Sequence, residues 1–265
     1  MKTLKVDVDM VLVNATVTDA GNKLVQDLKQ SDFQLFEDKV EQAIRYFSTE
    51  ERPLSLGIVF DVSRSMEKKI ALARDAAQQF LETGTSEDEY FLVEFNTHAK
   101  LTEDFTTDAT RLRNHLAFSP PGGTTALYDA LYLGLSKVRK GNNPKKALLL
   151  ITDGEDNHSR YSRGDIRELA RESDAQIYTI DLGRALVSEL SELTGGRSFH
   201  ANVDDLEDVC QKIAEQLKSQ YVIGYVSSNA VSDGKYRKVR LKVNSPAGMP
   251  KLNVRAKDGY YGRAG

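Results

Sequence analysis

Cysteine is almost absent from this sequence. Cys210 is the sole one among 265 residues, so no internal disulfide can form and cysteine usage does not fix the redox compartment. Cys210 falls in a helical stretch and reads as a small buried hydrophobe. No run of 18 apolar residues occurs, which removes a membrane span. Neither sign of charge dominates: 36 basic and 39 acidic residues give a net charge of −3, and no basic patch stands out. Nucleic acid is therefore not an expected partner. The four histidines, at 98, 115, 158 and 200, form no His-x-x-x-His or Cys/His spacing, which argues against zinc. Phosphate-loop, dinucleotide-fingerprint and nucleophile-elbow motifs are missing too, which argues against the usual nucleotide enzymes and hydrolases. The first residues carry Asp7 where a signal peptide needs apolar sequence. The expectation is either a cytoplasmic protein or one whose export signal has been removed. In the second case a secreted, periplasmic or cell-surface place is favoured.

What is present is ordinary globular composition, 40% hydrophobic and 28% charged, in a chain long enough for one large or two modest cores. From residue 54 to about 219, buried strands alternate with amphipathic helices. Residues 54–60 are a near-continuous apolar run, as expected of a strand covered on both faces. Helical spacing follows over 67–81. Strands are expected at 90–95 and 147–151, with 99–105 a weaker edge strand, and further strands at 176–180 and 198–200. Helices are expected at 109–116, 125–138, 165–173, 186–193 and 206–218. Such alternation implies an α/β, Rossmann-like domain with a mostly parallel central sheet and helices on both faces.

The two ends read differently. Residues 6–17, 33–36 and 43–47 give up to three short strands, and residues 221–226, 236–243 and 252–256 about three more, with almost no helix signal. Neither arm alone holds enough strands for a stable core. The expected organisation is an N-terminal β arm (1–50), the α/β domain (51–219) and a C-terminal β arm (220–265), the arms together making a small β-sandwich into which the α/β domain is inserted. Val11, Val13, Phe33, Leu35, Val239, Leu241 and Val243 are its expected core.

Three segments carry chemistry. Asp61-Val62-Ser63-Arg64-Ser65 closes the first apolar strand, Gly122-Gly123-Thr124-Thr125 opens a helix, and Thr152-Asp153-Gly154 closes another strand. Ligands of open α/β sheets bind outside the carboxyl ends of strands, where Asp61 and Asp153 both fall. A carboxylate and two hydroxyls at alternating positions suit a small hard ion, Mg²⁺, Mn²⁺ or Ca²⁺, and suit zinc or copper poorly. Any one segment alone could be helix capping, since Asp and Ser are favoured N-caps. All three in this order form a much more specific signal.

In these segments the chain resembles the von Willebrand factor A family and its metal-ion-dependent adhesion site, which reads Asp-x-Ser-x-Ser, then Thr, then Asp. The resemblance implies that Ser63 and Ser65 bind the metal directly and that Asp61 and Asp153 act mostly through water. It also places the threonine ligand at Thr125, counting back from Ala130-Leu131, with neighbouring Thr124 the alternative. More loosely, residues 31–38 and 251–261 resemble segments flanking the A domain in von Willebrand factor A-related proteins common in acidobacteria. A non-enzymatic module is implied, one that recognises an acidic side chain, Asp or Glu, of a protein or peptide partner through the metal.

The competing class is a Mg²⁺-dependent phosphohydrolase or phosphotransferase using Asp61 at the end of the first strand. Dehalogenase-like phosphatases need a second aspartate two residues on, where this chain has Ser63, and no general base is evident. Arg163-Gly164-Asp165 reads as helix capping with Asp165 as N-cap. Glu155, Asp156, Asn157 and His158 read as the rim of the ligand surface.

Overall fold

The computed structural model describes residues 10–183, 187–229, 231 and 233–263. The chain forms two compact units, Glu51–Lys218 and the combination of Met1–Glu50 with Ser219–Gly265. Among the described residues no helix is long and apolar enough to cross a membrane.

In the β unit, four strands precede the α/β unit in sequence: β1 (Met10–Thr18), β2 (Phe33–Glu37), β3 (Val40–Gln42) and β4 (Ile44–Ser48). Residues 6–9 of the expected first strand lie outside the described residues. The α/β unit contains β5 (Leu54–Asp61), α1 (Ile70–Glu82), β6 (Glu89–Phe95), β7 (Ala99–Thr106), α2 (Ala109–Phe118), α3 (Leu127–Val138), β8 (Lys145–Thr152), α4 (Arg163–Glu172), β9 (Gln176–Asp181), α5 (Ser188–Thr194), β10 (Ser198–His200) and α6 (Leu206–Lys218). The β unit resumes with β11 (Tyr221–Val226), β12 (Tyr236–Val243), β13 (Asn253–Ala256) and β14 (Gly259–Tyr261).

The central sheet runs β10-β9-β8-β5-β6-β7, parallel throughout except for β7, which pairs antiparallel with β6 at the edge. Its strands lack alternation because both faces are covered. Ile58 and Phe60 of β5, with Leu149 and Ile151 of β8, pack under α1, α2 and α6. The intervening Val59, Leu148 and Leu150 pack under α3, α4 and α5. Cys210 is buried in the first of these clusters, and burial pushes its thiol up to about 12.

The β unit holds two four-stranded antiparallel sheets, β13-β1-β11-β4 and β14-β12-β2-β3. Each interleaves strands from both ends of the chain: Ala15 lies opposite Tyr221, and Leu35 opposite Leu241. The sheets share one cluster containing Val13, Ala15, Phe33, Leu35, Ile223, Val239 and Leu241, with Val11 and Val243 only partly buried at its margin. Phe33, Phe47 and Tyr221 form a triangle of rings with centroids 5.1–5.7 Å apart.

The structure departs from the sequence reading in four places. Each arm contributes four strands rather than three, because β3 and β14 are three-residue strands too short to show a period. The β2–β3 hairpin turns on Asp38 and Lys39, both at positive φ as a two-residue hairpin turn requires, without the usual glycine. Helix α1 begins at Ile70 rather than near Glu67, since a 3-10 turn over Arg64–Lys68 comes first. The N-cap of α4 is Ser162, and Asp165 is its partner three residues on in a reciprocal capping box. Helix α5 begins at Ser188, and Leu186 of the expected helix lies outside the described residues.

Candidate metal centre

The centre of the sheet's carboxyl edge is built from five loops. Parallel pairing sets Asp61 beside Phe95 at the end of β5, and Thr152 ends the neighbouring β8. Backbone hydrogen bonds then lash the loops together: Val62 N–H donates to Phe95 O (2.8 Å), Gly122 N–H to Val62 O (2.8 Å) and Ala126 N–H to Asn96 O (2.7 Å). Gly183 makes room for the loop after β9, since a Cβ there would sit 2.0 Å from the Asp153 carbonyl oxygen.

Within this frame the predicted residues meet. The Ser63 and Ser65 hydroxyls are 3.0 Å apart, and Ser65 Oγ donates to Asp153 Oδ1 at 2.7 Å. Thr125 is buried at the same place: a Cβ built on Gly154 would lie 3.5 Å from Thr125 Oγ1 and 3.7 Å from Ser65 Oγ, so a glycine keeps that corner open. Thr124 is exposed and turns the other way, its backbone N–H and hydroxyl both 3.2 Å from Thr97 Oγ1. Asp61 is fully buried beneath the hydroxyls. Its Oδ1 accepts from Ser63 N–H at 2.8 Å and its Oδ2 from Thr152 Oγ1 at 2.5 Å. Burial pushes the Asp61 carboxyl above its usual value, against the hydrogen bonds from Ser63 and Thr152, and the nearby Asp153 carboxylate adds to the rise.

Capping does not account for these side chains. Ser63 is the N-cap of the 3-10 turn, yet its hydroxyl makes no capping hydrogen bond. The hydroxyls of Ser63 and Ser65 face each other and Asp153 instead. Chemically, the set is all oxygen, with three hydroxyls and two carboxylates. Hard divalent ions take such donors, and the residues fit that class of ion. Among the described residues no three of His, Cys, Asp and Glu gather as a cluster able to hold a metal. The histidines are less scattered than the sequence suggests, however. His98 and His158, 60 positions apart, bring their rings to a centroid distance of 6.3 Å.

Sequence reasoning missed three supporting side chains. Asn157 pins Thr125 from both sides, its Oδ1 accepting from Thr125 N–H (2.9 Å) and its N–H donating to Thr125 O (3.0 Å). Thr152 holds Asp61, as above. Lys69 places its ammonium 2.8 Å from Asp153 Oδ2 and 2.9 Å from Leu182 O. Asn157 stood only in the polar rim, and nothing in the local sequence marks Thr152 or Lys69. Of the other rim residues, Asp156 accepts from Tyr128 N–H at 3.3 Å, and so caps α3 from outside.

The model of the von Willebrand factor type A domain matches residues 56–217, more than half of the chain. The chain belongs to that family. No curated protein matches the sequence. Solved structures share the A-domain fold at low identity. The PilB minor pilin of Streptococcus sanguinis, as its D319A mutant, is 14% identical with a TM-score of 0.53, over 65% of this chain and 63% of the pilin. Proximal thread matrix protein 1 of the mussel byssus, in a form described with a zinc-occupied MIDAS motif, is 19% identical with a TM-score of 0.57, over 69% and 50% of the two chains. An aerotolerance-related membrane protein of Bacteroides fragilis is 14% identical with a TM-score of 0.51, over 62% and 98%. The chain thus spans 63% of the minor pilins it matches.

Proposed function

We propose that this A domain is a non-enzymatic recognition module, which binds an exposed Asp or Glu side chain of a protein or peptide partner through one divalent ion, Mg²⁺ or alternatively Mn²⁺ or Ca²⁺. The observation that carries the reading is the hydrogen-bonded run Ser63–Ser65–Asp153 with Thr125 beside it, at the carboxyl edge of a parallel sheet. Ser63, Ser65 and Thr125 would hold the ion directly, and Asp61 and Asp153 would support it from behind. When bound, the ion supplies positive charge that neutral hydroxyls cancel poorly, and so offers a strong contact to a carboxylate. This chain's own residues do the rest. Asn157 fixes Thr125, Thr152 fixes Asp61, and the exposed side of Ser65 leaves the partner a way in.

The phosphotransfer alternative is disfavoured by the placement of Asp61. A nucleophilic carboxylate must reach its substrate, whereas Asp61 is fully buried with both oxygens engaged. An extracellular or cell-surface setting accords with the fold's appearance in a minor pilin and a byssal matrix protein. The test is calorimetry with Mn²⁺ and Mg²⁺, followed by binding of peptides bearing Asp or Glu against their Asn or Gln counterparts. One ion per chain is expected, with peptide binding that needs both the ion and the carboxylate and disappears in EDTA. Undiminished peptide binding in EDTA, or hydrolysis of a generic phosphate ester that requires Asp61, would overturn the reading.

A further inference from the structure

Lys69 stands outside the oxygen set and yet makes one of its closest contacts. Its ammonium donates to Asp153 Oδ2 at 2.8 Å and to Leu182 O at 2.9 Å, so two of its three N–H bonds are committed. The Asp153 side chain is 4% exposed and that of Lys69 29%. The lysine is held from both sides of the chain, because Met66 and Ile70 are both buried in the core below. It sits where the 3-10 turn meets α1, so the segment carrying Ser63 and Ser65 also delivers the cation. The same edge of the sheet holds two carboxylates, Asp61 and Asp153, both bonded to hydroxyls of the loops around them. Asp61 faces hydroxyl and amide donors alone, so the cation contacting this pair is Lys69.

We infer that Lys69 is the built-in counter-cation of the site: it holds Asp153 in place when no ion is bound, and it opposes the divalent ion when one arrives. The second half rests on the function proposed above, and the first half does not. The consequence is a site that stays assembled while empty and binds its ion weakly by itself. An ion approaching the pair meets one uncompensated carboxylate rather than two. An acidic side chain from a partner restores the missing negative charge, so ion and partner favour each other's binding. Such mutual enhancement is reciprocal by necessity. Removing one fixed positive charge beside a divalent ion in a partly buried site should tighten ion binding by about tenfold or more.

The experiment compares wild type, Lys69→Met and Lys69→Arg by Mn²⁺ titration and by thermal melting in EDTA, with circular dichroism as the check on folding. Lys69→Met should bind Mn²⁺ about tenfold or more tightly, and Lys69→Arg should stay near wild type. In EDTA, Lys69→Met should melt lower than wild type, and both Mn²⁺ and the added change Asp153→Asn should recover part of the loss. A folded Lys69→Met that binds Mn²⁺ no better than wild type overturns the opposition of lysine and ion. An unchanged melting temperature in EDTA overturns the counter-cation role. If neither wild type nor Lys69→Met binds Mn²⁺, the metal reading itself fails, and the EDTA melting curves still decide the lysine's part.

Discussion

Ser65 donates its hydroxyl to Asp153 at 2.7 Å, joining residues 88 positions apart in the chain. That bond closes the gap between the loop after β5 and the loop after β8, the two central strands of the sheet. Neither loop could build the site alone. The Asp61 loop supplies two hydroxyls that face each other, and the Asp153 loop supplies the carboxylate that Ser65 leans on. Parallel strand pairing is what brings the two ends to one level, since β5 and β8 run in register from Leu54–Lys145 to Phe60–Ile151.

The adjacent threonines give the sharpest test of the site. Thr125 is buried next to Ser65 and Gly154, while Thr124 is exposed and bonded to Thr97. Thr125→Ala should weaken Mn²⁺ binding by about tenfold or more, the size of one lost charge-assisted contact of roughly 1.5–3 kcal/mol. Thr124→Ala should change it less than about twofold. Asp153→Ala should also weaken it strongly while the fold persists. Calorimetry on the three variants decides the matter, and equal effects at 124 and 125 would remove Thr125 from the site.

Much of this was legible in the residues, for identifiable reasons. Continuous apolar runs such as residues 54–60 announce strands buried on both faces, and Asp61 and Asp153 stand at their ends. What the sequence hides is contact between distant positions. Lys69 reaches Asp153 across 84 residues and Thr152 reaches Asp61 across 91, and no local spacing encodes either. Between Thr124 and Thr125 the residues themselves offer no choice, because adjacent residues of the same type differ only in the direction the backbone turns them. Helix α1 starts at Ile70 rather than Glu67 for a related reason: the apolar spacing does not mark the 3-10 turn over Arg64–Lys68 that precedes it.

A buried carboxylate organises the β unit. Glu37 accepts from Tyr225 Oη (2.7 Å), Tyr260 Oη (2.8 Å) and Ser227 Oγ (2.5 Å), with Arg237 Nη1 at 3.6 Å. Burial alone raises its pKa, but these donors together outweigh burial and hold it below 4.5. A depressed folded pKa means that the group's stabilising contribution is complete above the unfolded value, near 4.5, and is lost as pH falls through the lower folded value. The β unit should therefore lose stability in acid, as followed by urea unfolding between pH 7 and pH 3. Glu37→Gln should cost on the order of 2 kcal/mol at pH 7 and flatten that acid slope. An unaltered slope in the variant would show that other carboxylates carry it.

Lys145 also has a lowered pKa, but in its case the fold disfavours the charged form. Its side chain is buried and donates to the Leu217 carbonyl at the end of α6. Burial lowers its pKa to about 8, with Glu51 and Asp88 pulling upward and Arg52 adding to the fall. Below pH 8 the lysine is charged in both states and the cost of burying the charge is felt in full. Between about 8 and 10.5 the unfolded chain holds the proton that the folded chain has released, so stability rises with pH. Lys145→Met should remove this rise and stabilise the α/β unit by about 1–2 kcal/mol at pH 7, after allowance for the lost hydrogen bond. Thermal melting of both proteins at pH 7, 8 and 10 measures it. A wild-type midpoint that falls from pH 8 to 10 relative to Lys145→Met would show the sign to be wrong.

The last prediction concerns how the chain divides in folding. Residues 51–218 contain a complete six-stranded sheet with helices covering both faces and two clusters of buried side chains. Expressed alone they should melt cooperatively and keep whatever Mn²⁺ affinity the whole chain has. The two β arms should not be separable in that way. β1 lies between β11 and β13 and bonds to both, so removing residues 1–50 leaves those two strands with no neighbour between them. The same cut strips β2 from β12 and removes Val13, Ala15, Val17, Phe33 and Leu35 from the shared cluster. At about 1.5–3 kcal/mol for each large buried side chain, that loss exceeds the 5 kcal/mol or so that a marginal domain has to lose. A chain lacking residues 1–50 should thus keep a protected α/β unit and become protease-sensitive beyond residue 220, as mass spectrometry of limited digests would show. A protected fragment spanning 221–261 without the first arm would mean that β11–β14 fold by themselves, and that the interleaving of the two arms follows from packing rather than from necessity.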